Sequence, residues 1–127
     1  MNISVTVVPH YDQRYDTCGD WQLDVENHRL DIKVSDLGNW RYNFLVAFHE
    51  AIEAVLCLDR EITTEMVDKF DIEYEAKRDV DDMSEPGDSP DAPYKREHFF
   101  ATSLERLMAA ELRVDWREYE DEINKLE

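Results

Sequence analysis

The chain has 127 residues, of which 43% are hydrophobic and 35% charged, a composition typical of one globular domain with a single core. Its 31 acidic residues outnumber the 14 Lys and Arg residues, and the formal net charge is −17. Such a charge repels nucleic-acid phosphates and anionic lipids, so we expect no direct nucleic-acid binding and no membrane binding. No signal peptide and no run of about 18 apolar residues is present, which favours a cytoplasmic location.

The first third of the chain, residues 1–38, is rich in predicted strands. Residues 3–8 are mostly β-branched and end at Pro9, as is typical of a strand. Residues 21–25 and 29–34 alternate polar with apolar side chains around a short polar segment, which predicts a hairpin. We therefore expect a small antiparallel sheet built from the N-terminal strand and the hairpin.

The rest of the chain, residues 40–127, is predicted to contain about four helices. They cover about 41–58, 63–76 and 94–112, with a last helix capped by Asp115. An acidic loop at 79–93 contains three prolines, and it is either a solvated linker or a lid. The fold class is thus α+β in one domain. The first helix is apolar on nearly all sides and should be buried, and the third should bury the apolar side chains Phe99, Phe100, Leu104, Leu107 and Met108.

Three ionisable residues interrupt the most apolar segment of the sequence. His49 and Glu53 are one helical turn apart and share a face, whereas Glu50 points about 100° away. A buried carboxylate costs several kcal/mol unless it is paired, neutralised or bound to a cation. A histidine and a glutamate at positions i and i+4 can bind one metal ion, with the intervening Glu50 free to hold a water molecule.

This segment, read as His49-Glu50-x-x-Glu53, resembles the HExxH helix of the zincin metallopeptidases. The resemblance implies a minimal zincin-like domain in which His49 is a ligand, Glu50 is the general base and the reaction is a hydrolysis. Glu53 stands where that family has its second histidine. This departure leaves the metal open, with zinc expected first and iron or manganese as alternatives.

The chain also resembles a group of small proteins encoded by bacteriophages and prophages. The similar segments are FLVAFHE at 44–50, FD at 70–71 and PYKREHFFAT at 93–102. This resemblance spans most of the sequence and implies a phage origin, hence a location in the host cytoplasm. It implies no activity.

A third protein ligand should come from downstream of the first helix. His98 is the first choice because Tyr94, Ala101 and Glu105 share its helical stripe, which should face inward. Asp71 is the second choice. A peptide or another small molecule would be the substrate of such a site.

Three other interpretations remain open. His49, Glu50 and Glu53 could form a buried polar network with Arg41, Arg96 or Arg106. The protein could instead use its charge without catalysis, presenting carboxylates where DNA has phosphates and so inhibiting a host protein. Finally, the HExxE segment followed by Asp68-x-x-Asp71 resembles the Mg²⁺-binding pairs of all-α nucleotide pyrophosphatases.

Overall fold

The computed structural model describes residues 1–126, and it places a small sheet before four helices. The strands are β1 (Asn2–Val8), β2 (Gly19–Asp24) and β3 (Arg29–Ser35). The helices are α1 (Trp40–Asp59), α2 (Thr64–Lys77), α3 (Lys95–Glu111) and α4 (Trp116–Asn124). Short 3-10 helices at His10–Asp12 and Pro86–Asp88 lie in the connections. The predicted α+β class is confirmed.

The three strands form one mixed sheet in the order β1-β3-β2. β2 and β3 are antiparallel, as the hairpin pattern predicts, and His28 takes a positive φ of 53° in the turn between them. β1 pairs in parallel with β3, so the sheet is mixed where a wholly antiparallel one was expected. The physical reason is burial: β3 carries Leu30, Ile32 and Val34, which are fully buried, and it therefore takes the centre of the sheet.

α1 packs on β2 and β3 and runs beside α3. Asn39 caps its first turn by accepting a hydrogen bond from the Arg41 amide. The inward side of α1 buries five small or apolar side chains, those of Leu45, Val46, Ala47, Ala54 and Cys57. The expectation that α1 is buried on all sides is wrong, because its outer side exposes Trp40, Phe44, Val55 and Leu58.

The burial predicted for α3 is also wrong in part. Phe99, Phe100 and Leu107 are 47%, 51% and 66% exposed. The buried residues of this helix are instead the polar side chains and alanines of Glu97, His98, Ala101, Glu105 and Ala109. The small alanine side chains allow α3 to pack closely on α1. The buried polar side chains of α3 have hydrogen-bonding or ion-pair partners.

The remaining helices and the acidic loop close the structure around α1 and α3. Thr63 caps α2 and Asp115 caps α4, both as the sequence predicts. Arg14 forms ion pairs with Asp20 of β2 and Asp68 of α2, which tie the sheet to that helix. The 3-10 helix Pro86–Asp88 packs against α2 and α3. Among the helices of residues 1–126, none has both the length and the apolarity that crossing a membrane requires.

Candidate metal centre

Three side chains that the sequence singles out meet in the interior between α1 and α3. Glu53 Oε2 lies 3.1 Å from His49 Nε2 and 3.0 Å from His98 Nδ1. The two imidazole rings stand edge to face, with centroids 4.9 Å apart. All three side chains are buried, and their ligand atoms lie within 4.8 Å of one another. The helical repeat brings His49 and Glu53 together, and the close packing of α3 on α1 adds His98.

The remaining polar atoms of these two side chains, His49 Nδ1 and Glu53 Oε1, also have hydrogen-bonding partners. His49 Nδ1 lies 2.8 Å from Glu105 Oε1, and Glu105 Oε2 accepts a 2.7 Å hydrogen bond from the Tyr119 hydroxyl. Trp21 donates its indole N–H to Glu53 Oε1 over 3.0 Å. Glu105, Tyr119 and Trp21 are all buried. This arrangement fixes the direction in which each ligand atom points.

The acidic loop supplies the partners of His98. His98 Nε2 lies 3.1 Å from Glu85 Oε2 and 3.2 Å from Asp88 Oδ1, and both of these acidic side chains are about half exposed. Gly87 lies directly against the ring, because a Cβ added there would be 2.4 Å from His98 Cγ. Residues 85–88 of the acidic loop therefore pack against His98. Glu85, Asp88 and His98 also form a second group with the spacing of a cation site.

The carboxylates around the histidines control the ionisation of the cluster. Burial alone would lower the pKa of His49, but hydrogen bonds to Glu105 and Glu53 outweigh it and hold the pKa well above its usual value. Burial likewise opposes the protonated form of His98, and its bonds to Asp88, Glu53 and Glu85 raise the pKa to about 12. For Glu53, burial is outweighed by the hydrogen bonds from both histidines, so that its pKa falls to about 2.

Glu50 is placed differently from the other acidic residues of the cluster. Within residues 1–126 its carboxylate has no hydrogen-bonding partner, and it lines the same cavity as His49, Glu53 and His98. Gly19 of β2 makes room for it, since a Cβ there would lie 2.6 Å from Glu50 Oε1. Burial and the nearby charge of Glu53 raise the pKa of Glu50 well above its usual value. Glu50 is thus a carboxyl group that is free to bind water or substrate.

The cavity has a volume of about 340 Å³ and is lined by residues of β2, the four helices and the acidic loop. Asp16, Asp68, Glu75 and Asp82 line it beside the cluster, and Arg78 also contributes. A volume of this size accommodates a small molecule or a few side chains of a peptide.

Asp71, the second choice for a third ligand, does not join the cluster. The hydroxyls of Tyr15 and Tyr94 both donate hydrogen bonds to its carboxylate, and the Tyr15 bond measures 3.1 Å. Burial raises the pKa of Asp71 to about 7, against the effect of these two bonds. Asp71 lines the cavity, but the ligand group of His49, Glu53 and His98 forms without it.

The arginines expected to neutralise the cluster lie elsewhere. Arg41 stacks on Trp40, Arg106 stacks on Trp116, and Arg96 is exposed. Arg60 does form an ion pair with a buried carboxylate, but its partner is Glu97. The described contacts of Glu53 and Glu105 are with histidine, indole and tyrosine groups.

Sequence reasoning gave no role to several residues that hold the cluster: Trp21, Glu85, Asp88, Glu105 and Tyr119. Of these, Glu105 had a detectable signal, because it follows His98 by seven residues and so lies on the same helical face. The other four come from a strand, a loop and another helix, where helical spacing carries no information. Comparisons of the chain with known protein families, curated proteins and solved structures gave no match.

Proposed function

We propose that this protein binds a divalent metal ion through His49, Glu53 and His98 and uses it for hydrolysis. One observation carries the proposal. Two imidazole nitrogens and a carboxylate oxygen converge at a buried position, and the far side of each group is held by another buried or loop residue. Buried ionisable groups in such number are costly, and a divalent ion that replaces one proton on each histidine would bind all three groups.

The donor set fits a metal on chemical grounds. Two nitrogens and one carboxylate oxygen are ligands of zinc in hydrolytic sites, which keep a further position open for water. The same set suits iron or manganese, so zinc is our first expectation and not the only one. Ligand histidines commonly donate their other N–H to a carboxylate, as His49 Nδ1 does towards Glu105.

Glu50 is the residue we assign to proton transfer. A divalent ion at this position would lower the pKa of a bound water molecule to about 7. Glu50 lines the cavity without a protein partner, so it is available to accept that proton. Its raised pKa would fall when a cation is nearby, which keeps the carboxylate ionised and able to act as the base. This division of roles is the one that the zincin resemblance implies.

The substrate class we propose is a peptide or another small molecule with a hydrolysable bond, because the cavity is of that size. We place the activity in the host cytoplasm, on the basis of the resemblance to phage proteins. A purely structural role is the rival interpretation, since every histidine nitrogen of the cluster already has a carboxylate neighbour without a metal.

Metal content measured by mass spectrometry on untagged protein is the test. We expect about one equivalent of zinc, iron or manganese in the wild type and a loss of that metal in His49→Ala. His28→Asn is the matched control, because His28 lies exposed in the hairpin turn and asparagine tolerates its positive φ. A protein that holds no metal, even after incubation with these ions, would refute the proposal and leave a buried polar network.

If metal is present, a screen for hydrolysis follows, with Glu50→Gln as the inactive control. We expect that variant to keep its metal and to lose activity. An active Glu50→Gln protein would remove Glu50 from the mechanism while leaving the metal site intact.

A further inference from the structure

β1 is an edge strand whose apolar side the helices leave open. The sheet order places β1 outside β3, and α1 packs on β3 and β2. Ile3, Val5 and Val7 are 56%, 52% and 47% exposed. Their partners across the ladder are Leu30, Ile32 and Val34, which are fully buried. The apolar face of the sheet therefore continues beyond the part that α1 covers.

The backbone of the same residues is directed at the open edge. The Asn2 amide donates a hydrogen bond to the His28 carbonyl, so Asn2 faces β3. By the alternation of a strand, Ser4 and Thr6 also face β3, whereas Ile3, Val5 and Val7 point their N–H and C=O groups outward. Strands usually block such an edge with a charge, a proline or a bulge. The segment NISVTVV contains no charged residue and no proline.

The pattern of this edge is self-complementary. We propose that two copies of the chain pair through β1, antiparallel and about a two-fold axis at Val5. Val5 then meets the partner's Val5, and Ile3 meets the partner's Val7. Ser4 meets the partner's Thr6 on the opposite face. Ile3, Val5 and Val7 then form hydrogen-bonded pairs with residues of the partner strand. Each of their side chains meets an apolar side chain of the other copy, as an isologous interface requires.

Charge and contact area set the strength of the dimer. With a net charge of −17, two copies repel one another, and this repulsion is weakest for an approach through β1, whose sequence contains no charged residue. A pair of seven-residue strands forms a small contact, below the roughly 1,200–2,000 Å² that stable specific interfaces bury. The dimer should therefore dissociate on dilution, and salt should strengthen it by screening the repulsion between the copies.

The register gives a sharp test with cysteine variants. In a hydrogen-bonded antiparallel pair the Cα atoms are about 5.5 Å apart, within the range that a disulfide spans. Val5→Cys should therefore form a disulfide-linked dimer on mild oxidation. Ile3→Cys should not, because the two copies of residue 3 would lie four residues apart along the strands, roughly 13 Å. Equal cross-linking of the two variants would overturn the register.

Molar mass in solution tests the interface itself, by size-exclusion chromatography with light scattering over a wide range of concentration and salt. We expect the wild type to approach the mass of two chains at high concentration and salt. Val5→Lys, which places two charges at the axis, should stay at the mass of one chain with an unchanged circular dichroism spectrum. Val25→Lys is the control and should behave as the wild type, because Val25 is 63% exposed in the turn between β2 and β3 and lies outside the proposed interface. A wild type that remains monomeric throughout, or a dimeric Val5→Lys protein, overturns the proposal.

Discussion

Glu105 offers the most informative perturbation of the candidate metal centre, because it contacts His49 but is not itself among the three proposed ligands. Its two carboxylate oxygens bind His49 Nδ1 and the Tyr119 hydroxyl at 2.8 and 2.7 Å. In Glu105→Gln the side chain keeps its shape, but the single amide oxygen can serve only one of these partners. The negative charge that favours a proton on His49 Nδ1, the ring nitrogen that points away from Glu53, is also lost.

Removing an outer partner of a ligand histidine typically weakens metal binding by about 10- to 100-fold, which corresponds to roughly 1.4–2.7 kcal/mol. We expect a loss of that size in Glu105→Gln, measured by competition with a chromophoric chelator. Glu111→Gln is the control, because it makes the same change at an exposed position of the same helix. Unchanged metal affinity in a folded Glu105→Gln protein would refute the idea that Glu105 orients a ligand.

Three further predictions follow from the ionisation and packing of the cavity. Burial raises the pKa of Asp71 from 3.8 to about 7, so the folded protein favours the protonated carboxyl group. The contribution of this group to the free energy of unfolding is therefore complete below pH 3.8 and is lost as the pH rises to 7. Asp71→Asn should therefore gain stability relative to the wild type over that range, by about 4 kcal/mol at most, in urea unfolding at several pH values. Metal binding must displace one proton each from His49 and His98, so affinity should rise with pH with a slope of about two protons per ion, and a slope of zero would exclude them as ligands. Gly19→Ala should push the Glu50 carboxylate aside, and we expect it to retain metal while losing hydrolysis to the extent that Glu50→Gln does.

The sequence predicted those features that depend on local periodicity. The HExxE segment placed His49 and Glu53 on one face because helical neighbours are four residues apart. The same repeat put His98 on an inward stripe with Tyr94, and the structure buries both. Strand alternation in residues 21–34 correctly gave the hairpin. These features can be predicted without knowing the conformation of the rest of the chain.

Features that depend on tertiary pairing could not be predicted in this way. We expected Phe99, Phe100 and Leu107 to be buried because apolar side chains usually are. The polar side of α3 faces the interior instead, because its polar residues pair with those of α1 and the loop. These contacts offset the cost of burying the polar side chains. The parallel pairing of β1 likewise depends on which strand takes the centre of the sheet. Hydropathy alone does not rank such alternatives.

The groups that meet at Glu53 are far apart in the sequence. A metal ion that binds them would therefore restrict the conformations of the unfolded chain. Glu53 and His98 are separated by 45 residues, yet their side chains are in contact. An ion held by both would close that segment into a loop, and a cross-link over such a length removes conformational entropy worth about 4 kcal/mol from the unfolded chain. Both cysteines are free thiols, so no disulfide between Cys18 and Cys57 takes this role within the described residues. Metal supply would then set the lifetime of the folded protein as well as its chemistry.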